Sequence, residues 1–379
     1  MKKIGIFVPN LKNNGVSRVA SLHSTMFFQE GYHIDLIVEE NITAFPYSGN
    51  LVNLNIKKRN GPFKLISFIS IFLKIKKLKK QNNYDYFISH IPHCDIINVL
   101  TKNNEYVITT IHNNIDRRYS NITKRILNLI FKKSDAIVSV SRGIAEKLSK
   151  QHKNKYNIVN IPNPIDFNHI YASIDTPPPT HLQNKKYILN IGRLDEQKGQ
   201  WHLIKAFYLL SQEIDDLYLV IIGEGPEYTN LLNLCEKLKI HHKVFFEGFQ
   251  ENPFIYMKHS SAFVFPSLYE GFPMVLIEAM SCNIPIVSTD CFSGPRELLI
   301  NNDTEYGILI PDKANYNEID NANISTFDVT LAESVRLILN NSIMATSMAN
   351  RAKVRADNFS LKNIYKEWNS LFQKLRNES

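Results

Sequence analysis

No stretch of this sequence approaches the ~20 consecutive apolar residues that a helix needs to cross a bilayer. The nearest, Leu65 to Leu73, is bounded by Lys64 and Lys74. At the N-terminus, Met1-Lys2-Lys3 followed by Ile4 to Val8 imitates an export signal, but the apolar run ends at Pro9-Asn10. That is short of the roughly 7–15 residues such a signal requires, so the run reads as a buried first strand in a soluble, cytoplasmic chain. The four cysteines (Cys94, Cys235, Cys282, Cys291) are scattered and form no CxxC pair. A disulfide framework is therefore excluded, and free thiols in a reducing compartment are expected. No Walker A loop, GxGxxG turn, GxSxG elbow or HExxH helix occurs, so nucleotide hydrolysis of the P-loop type, serine hydrolase and zincin chemistry have no support. No short fixed repeat and no compositionally disordered block is present.

What remains is a chain of 379 residues with 44% apolar content, more than one hydrophobic core usually organises, so two domains are expected. The formal net charge of +8 is unevenly placed. Residues 1–80 carry 13 Lys/Arg against 4 Asp/Glu, which is +9 and leaves −1 for all the rest. Such a bias suits an anionic partner, either a nucleic acid or an anionic lipid surface, and equally a solvated basic helix.

Short β-rich runs alternate with helical patterns, the signature of α/β architecture with parallel sheets. In the first half, strands are predicted at Lys3–Val8, Ile34–Val38, Tyr86–Ser89, Tyr106–Ile111, Ala136–Val140 and Ile158–Ile161. Helices are predicted at Val16–Gln29, 63–80, 121–132 and 142–150. The stretch 171–186, with Pro177-Pro178-Pro179, reads as an interdomain connection. The alternation then restarts, with strands at Tyr187–Ile191, Leu217–Ile222, Val244–Phe246, Ala262–Phe265, Ile284–Ser288 and Gly307–Ile310. The expected organisation is an N-terminal domain over 1–170, a linker over 171–186, a C-terminal domain over 187–345 and terminal helices over 346–379. The last of these helices is expected to cross back to the first domain. Residues 312–328 read as a polar surface insertion. Two doubly wound domains facing a cleft place ligands at the carboxyl ends of the strands.

Three loops at such strand ends carry chemistry. In Glu270-Gly-Phe-Pro-Met-Val-Leu-Ile-Glu278, Pro273 suits a helix start, which puts Glu270 in the preceding loop and Glu278 on the helix. The N–H groups from Phe272 to Val275, across Pro273 and Met274, are expected to face phosphate oxygens. A carboxylate beside them would accept hydrogen bonds from sugar or ribose hydroxyls instead. In Gly192-Arg193-Leu-Asp195-Glu196-Gln-Lys198-Gly199, Arg193 supplies a planar fork and Lys198 a point charge, the pair a diphosphate needs. Ion pairing of these cations with Asp195 and Glu196 is the purely structural alternative. In Lys12-Asn-Asn-Gly15-Val-Ser-Arg18, Gly15 permits close backbone approach to a ligand. His112, closing a predicted strand, faces the same expected cleft. His90-Ile-Pro-His93-Cys94-Asp95 holds metal-ligand types without a recognised zinc spacing, and no metal is expected there.

Together these pieces resemble the family 4 glycosyltransferases, retaining enzymes with the GT-B fold. The resemblance is carried by EGFPMVLIEAM, GRLDEQKG, PIVSTD, SGPREL and IPNPID at 161–166, densely over 160–310 and sparsely over 1–150. It implies that Arg193 and Lys198 hold the donor diphosphate, Glu278 the ribose and Glu270 the transferred sugar. His112 would lie near sugar and phosphate, and Gly223 and Gly248 near the nucleobase. The family's paired glycines in the first loop are here Asn14-Gly15. The implied donor is a nucleoside-diphosphate sugar, UDP before GDP, with a hexose or N-acetylhexosamine attached. The implied acceptor is a glycan or a polyprenyl-diphosphate-linked sugar in surface polysaccharide synthesis, such as lipopolysaccharide or capsule. No metal or separate cofactor and no nucleic-acid partner is expected. Within the basic segment 61–81, Leu65, Ile69 and Phe72 are expected to pack inward. Lys74, Lys76, Lys77, Lys79 and Lys80 would then form a peripheral membrane contact. A GT-B epimerase or phosphorylase and a non-catalytic polyanion-binding protein are the competing readings.

Overall fold

The computed structural model describes residues 1–12, 14–56, 64–113, 121–312 and 322–378. Asn13, the start of the 61–81 segment and most of the 312–328 insertion lie outside the described residues. The chain divides into two compact units, Met1–Ile165 with Phe359–Ser379, and Asp166–Asn358.

The first unit is built on a seven-stranded parallel sheet. Its strands are β1 (Lys3–Val8), β2 (His33–Val38), β3 (Asn50–Asn53), β4 (Tyr86–His90), β5 (Tyr106–Ile111), β6 (Ala136–Ser139) and β7 (Ile158–Asn160). They lie in the order β3-β2-β1-β4-β5-β6-β7. The central strands are buried on both faces, which is why their sequences are continuous apolar runs. Around them pack α1 (Gly15–Gln29), α2 (Lys64–Asn82), α3 (Pro92–Leu100), α4 (Asn121–Lys133) and α5 (Arg142–Gln151). The C-terminal helix Leu361–Asn377 belongs to this unit. Its Trp368 and Phe372 are fully buried, and Phe372 stacks on Tyr86 at 4.0 Å between ring centroids.

In this unit a strand and a helix escaped the sequence pattern. β3 (Asn-Leu-Val-Asn) is a half-exposed edge strand too short and polar to register as a run. α3 follows directly from Ile91, whose φ of 79° is unusual for a β-branched residue.

The inward face of α2 also differs from expectation. Ile71, Ile75 and Lys79 are buried, whereas Leu65, Ile69 and Leu73 are exposed, as is Ile66. Lys79 is no surface cation. Its Nζ lies 2.7 Å from buried Glu105, donates to Asn98 and sits over the Phe87 ring. Lys74 donates to the Leu54 carbonyl.

The second unit repeats the plan with six parallel strands. They are β8 (Lys186–Ile191), β9 (Leu217–Ile222), β10 (Val244–Phe246), β11 (Ala262–Phe265), β12 (Ile286–Asp290) and β13 (Ile308–Pro311). Their order is β10-β9-β8-β11-β12-β13. One large cluster, including Trp201, Phe207, Leu210, Leu219 and Leu331, forms the core. Residues 171–186 lie inside this unit rather than outside it, holding the end of a helix (Phe167–Ser173) and a 3-10 turn (Thr180–Leu182). The helix is capped by the Asp166 carboxylate and anchored by buried Ile170. In both sheets the strand order reverses beside the first strand, so β1 and β4, and β8 and β11, flank the switch points where α/β sheets open a crevice.

Candidate functional site

In the second unit the loops leaving β8 and β11 are knitted into one surface at the switch point. The Leu268 N–H donates to the Gln197 carbonyl, and the Gln197 side chain donates to the Tyr269 carbonyl. Backbone contact from a third loop is closer still. A Cβ on Gly223, which has φ +141°, would stand 2.0 Å from the Gly192 carbonyl oxygen. Gly223 therefore meets the protein's own backbone, which accounts for the glycine without a nucleobase. The space around Gly248 is open, and its carbonyl accepts from Gly223 N–H.

The central contact is an ion pair: Lys198 Nζ lies 2.7 Å from Glu270 Oε1, with side-chain exposures of 19% and 8%. The Lys198 ammonium also stands 5.2 Å from the centroid of the buried Phe265 ring. Lys198 ends a 3-10 turn that closes on left-handed Gly199, where a Cβ would meet the Pro266 carbonyl oxygen at 2.5 Å. The cation is thus delivered to Glu270 by a turn locked against the β11 loop. Arg193 is two-thirds exposed and reaches Asp195 at only 3.6 Å, a loose contact. Burial raises the Asp195 carboxyl above its ordinary range despite Lys198 and Arg193 nearby. Of the expected pairing with Asp195 and Glu196, the Arg193–Asp195 contact is present, while Lys198 turns to Glu270.

Helix α6 (Met274–Ser281) begins after Pro273 and carries Glu278 one turn in, where it is buried. Phe272, Met274 and Val275 bring N–H groups to this helix start. Pro273 brings none and only sets the turn, which corrects its place among the expected donors. Gly294 and Ser293 buttress the loop from the side, with Ser293 Oγ donating to the Gly271 carbonyl at 2.8 Å.

In the first unit His112 directly follows β5 and is partly buried. Its Nε2 lies 2.9 Å from both His90 Nδ1 and Thr110 Oγ1, and Thr110 Oγ1 lies 2.9 Å from His90 Nδ1. His23, on α1, packs its ring 5.3 Å from that of His90. Burial lowers the pKa of His112 to about 4. Burial first, and then the charge of His112, lowers that of His23 to about 3. The same causes, with His23 added, push His90 well down. All three rings are neutral at pH 7. Gly15 opens α1 beside Asn14, whose side chain caps the helix through Ser17 N–H, and a Cβ there would meet nothing.

The His90-to-Asp95 segment scatters its ligand types. His93 binds Glu39 at 2.9 Å, Asp95 accepts from Ser89 at 2.7 Å, and Cys94 is buried. Among the described residues no three such groups gather around a point. His90, Thr110 and His23 were not legible as partners of His112. The available signal was that His90 and His112 close adjacent strands, with His90 paired in register to Thr110.

Two units, each doubly wound on a parallel sheet, make up the GT-B architecture. Solved structures agree on the fold. Sucrose-phosphate synthase from Thermosynechococcus elongatus is 17% identical with a TM-score of 0.77, covering 100% of both chains. HepE of Anabaena in complex with UDP is 16% identical with a TM-score of 0.76, covering 99% of this chain and 100% of that one. The sequence model of Glycosyltransferase Family 4 matches residues 13–169, and that of Glycosyl transferases group 1 matches 175–355. A glycosyltransferase of Methanocaldococcus jannaschii is 28% identical, over 85% of this chain and 87% of its own. The N-acetylgalactosamine-N,N'-diacetylbacillosaminyl-diphospho-undecaprenol 4-alpha-N-acetylgalactosaminyltransferase of Campylobacter jejuni is also 28% identical, over 95% and 96%. The chain belongs to glycosyltransferase family 4 and is a glycosyltransferase of the GT-B fold.

Proposed function

We propose that this glycosyltransferase takes a hexose or N-acetylhexosamine from a nucleoside-diphosphate sugar, with UDP as the nucleotide. It passes the sugar, with retained anomeric configuration, to a lipid-linked or glycan acceptor of a surface polysaccharide. The observation that carries the reading is the Lys198–Glu270 pair, a cation and a carboxylate held together at the β8/β11 switch point. Cleavage of the sugar–diphosphate bond builds negative charge on the leaving oxygens. A lysine already positioned against a rigid turn, with Arg193 in the same loop and the α6 amides beyond it, stabilises that charge without reorganisation. Glu270 and Glu278, which repel phosphate, take hydroxyl groups of the sugar and the ribose. In this reading the fixed protein charges fill the role of a divalent metal. His112 touches the transferred sugar and the adjoining phosphate.

The acceptor side of the reading draws on the lipid-linked substrate in the Campylobacter relative's name and on α2. Among the described residues no helix is long and apolar enough to cross a membrane. Along one stripe of α2, however, the exposed Leu65, Ile66, Ile69 and Leu73 are continued by exposed Lys76, Lys77 and Lys80. Helical geometry puts all seven within about one third of the circumference. An apolar half that enters the lipid boundary, followed by a cationic half for anionic headgroups, describes an interfacial helix.

The test is a thermal-shift panel of UDP, GDP and their sugars, followed by product analysis with polyprenyl-diphosphate-linked acceptors. A nucleotide at a hundred times its Kd should add about 2.7 kcal/mol to the stability of the unit that binds it. Stabilisation by UDP or a UDP-sugar, with release of UDP in the presence of acceptor, is the expected result. Failure of every nucleotide to stabilise the protein would overturn the donor assignment.

A further inference from the structure

His112 is engaged from inside the protein at a single atom. His90 Nδ1 and Thr110 Oγ1 both approach its Nε2 at 2.9 Å, and they are 2.9 Å from each other. The Thr110 hydroxyl proton is already committed, because Oγ1 donates to the Ser89 carbonyl at 2.9 Å. Thr110 Oγ1 therefore only accepts here. Two ring nitrogens at 2.9 Å share one proton, since two N–H groups pointing at each other repel and two bare lone pairs do the same.

Burial decides which ring holds that proton. His90 is fully buried, and its other nitrogen, Nε2, has no hydrogen-bond partner among the described residues. If His112 Nε2 carried the shared proton, neutral His90 would carry its own on Nε2, as a buried N–H with no acceptor. With the proton on His90 Nδ1, the orphan is a bare lone pair instead, the less costly of the two. His90 Nδ1–H then donates to His112 Nε2, and neutral His112 keeps its only proton on Nδ1. That nitrogen makes no hydrogen bond to any described residue. The buried ring of His23 at 5.3 Å disfavours a charge on either partner.

We propose that His90 is a positioning residue that fixes His112 as the Nδ1–H tautomer, so that His112 meets its ligand as a neutral hydrogen-bond donor. The ligand chemistry follows: an Nδ1–H recognises an acceptor oxygen, a sugar hydroxyl or a diphosphate oxygen, and takes no proton from it. His112 is thereby a donor that stabilises charge on oxygen and not a general base. The inference rests on the reading of His112 as a residue that touches the donor substrate, but the tautomer is measurable without substrate.

The first measurement is a long-range ¹H–¹⁵N correlation spectrum of the imidazoles at pH 7.5, assigned by His112→Gln and His90→Asn. A bare, pyridine-type Nε2 on His112 in the wild-type protein is expected. A protonated Nε2 on His112 would overturn the proposal. In the second, His90→Leu removes the donor and His90→Asn retains a side-chain N–H near the same place. Turnover at saturating donor is expected to fall about tenfold in His90→Leu and to recover most of that in His90→Asn. Equal turnover in His90→Leu and wild type, both shown folded by circular dichroism, would overturn the positioning role. A His112→Ala variant of unchanged turnover would instead remove His112 from the reaction, leaving the tautomer result to stand on its own.

Discussion

Lys198 and Gly223 show how differently two residues of one site are constrained. Lys198 is held by chemistry, through a 2.7 Å pair with a carboxylate that is itself nearly buried. Lys198→Ala is expected to lower turnover at least about tenfold through the lost charge at the leaving group. The same change leaves the Glu270 carboxylate without its cation, so the melting temperature should fall as well. Steady-state rates on protein verified as folded check the first effect and calorimetry the second. Arg193→Lys should also cost about tenfold, because a point charge does not replace a planar fork, and an unchanged rate would take Arg193 out of diphosphate binding. Glu278→Ala is expected to raise the donor KM and lower turnover comparably. Gly223 is held by space. Its φ of +141° and the 2.0 Å between a new Cβ and the Gly192 carbonyl oxygen predict that Gly223→Ala destabilises the second unit by about 2 kcal/mol or more. Urea unfolding followed by the fluorescence of Trp201 in that unit, in a Trp368→Phe background, measures it.

Among the elements, α2 departs furthest from its sequence pattern. Alternating apolar and basic residues were readable as amphipathic, but which apolar set faces inward was not. Two sets compete along this helix, and the choice went to Ile71 and Ile75, which complete the cluster around Phe7, Phe87 and Ile97. Lys79 follows them inward because Glu105 and Asn98 wait there to satisfy it. The lysines available to a lipid surface are thus Lys76, Lys77 and Lys80. At about 1 kcal/mol for each lysine near an anionic surface, changing all three to Gln should weaken binding to phosphatidylserine vesicles by roughly two orders of magnitude. Co-sedimentation reads this out. Pelleting that is insensitive to anionic lipid or to the triple substitution would mean that the stripe does not meet the membrane.

At the scale of the molecule, the neutral histidines of the first unit make its stability depend on pH. The pKa of His23 is about 3 and that of His112 about 4, both below the 6.5 of an unfolded chain. The unfolded state therefore takes up more protons than the folded state once the pH drops below 6.5. Stability contributed by these neutral rings is complete above that value and is lost as pH falls from 6.5 toward 4 and 3. At pH 5 the loss is about 2 kcal/mol per histidine. His23→Phe, which replaces a buried ring packed on Trp368 and Phe27, should remove about that much of the acid sensitivity between pH 7 and 5. Urea unfolding followed through Trp368 in a Trp201→Phe background tests this, and an unaltered pH slope in His23→Phe would contradict it.

Periodicity determined the α/β class, the doubling of the sheet and nearly every central strand, because strands buried on both faces must be continuous apolar runs. Local motifs likewise marked Arg193, Lys198, Glu270 and Glu278, since glycine-flanked cations and helix-start carboxylates are local patterns. The edge strand β3, the inward face of α2 and the membership of 171–186 in the second unit were decided by packing against residues distant in sequence. So was the partnership of His112. His90 meets it only because β4 and β5 lie side by side, His23 joins only by packing its ring on His90, and a buried proton can be assigned only once its neighbours are known.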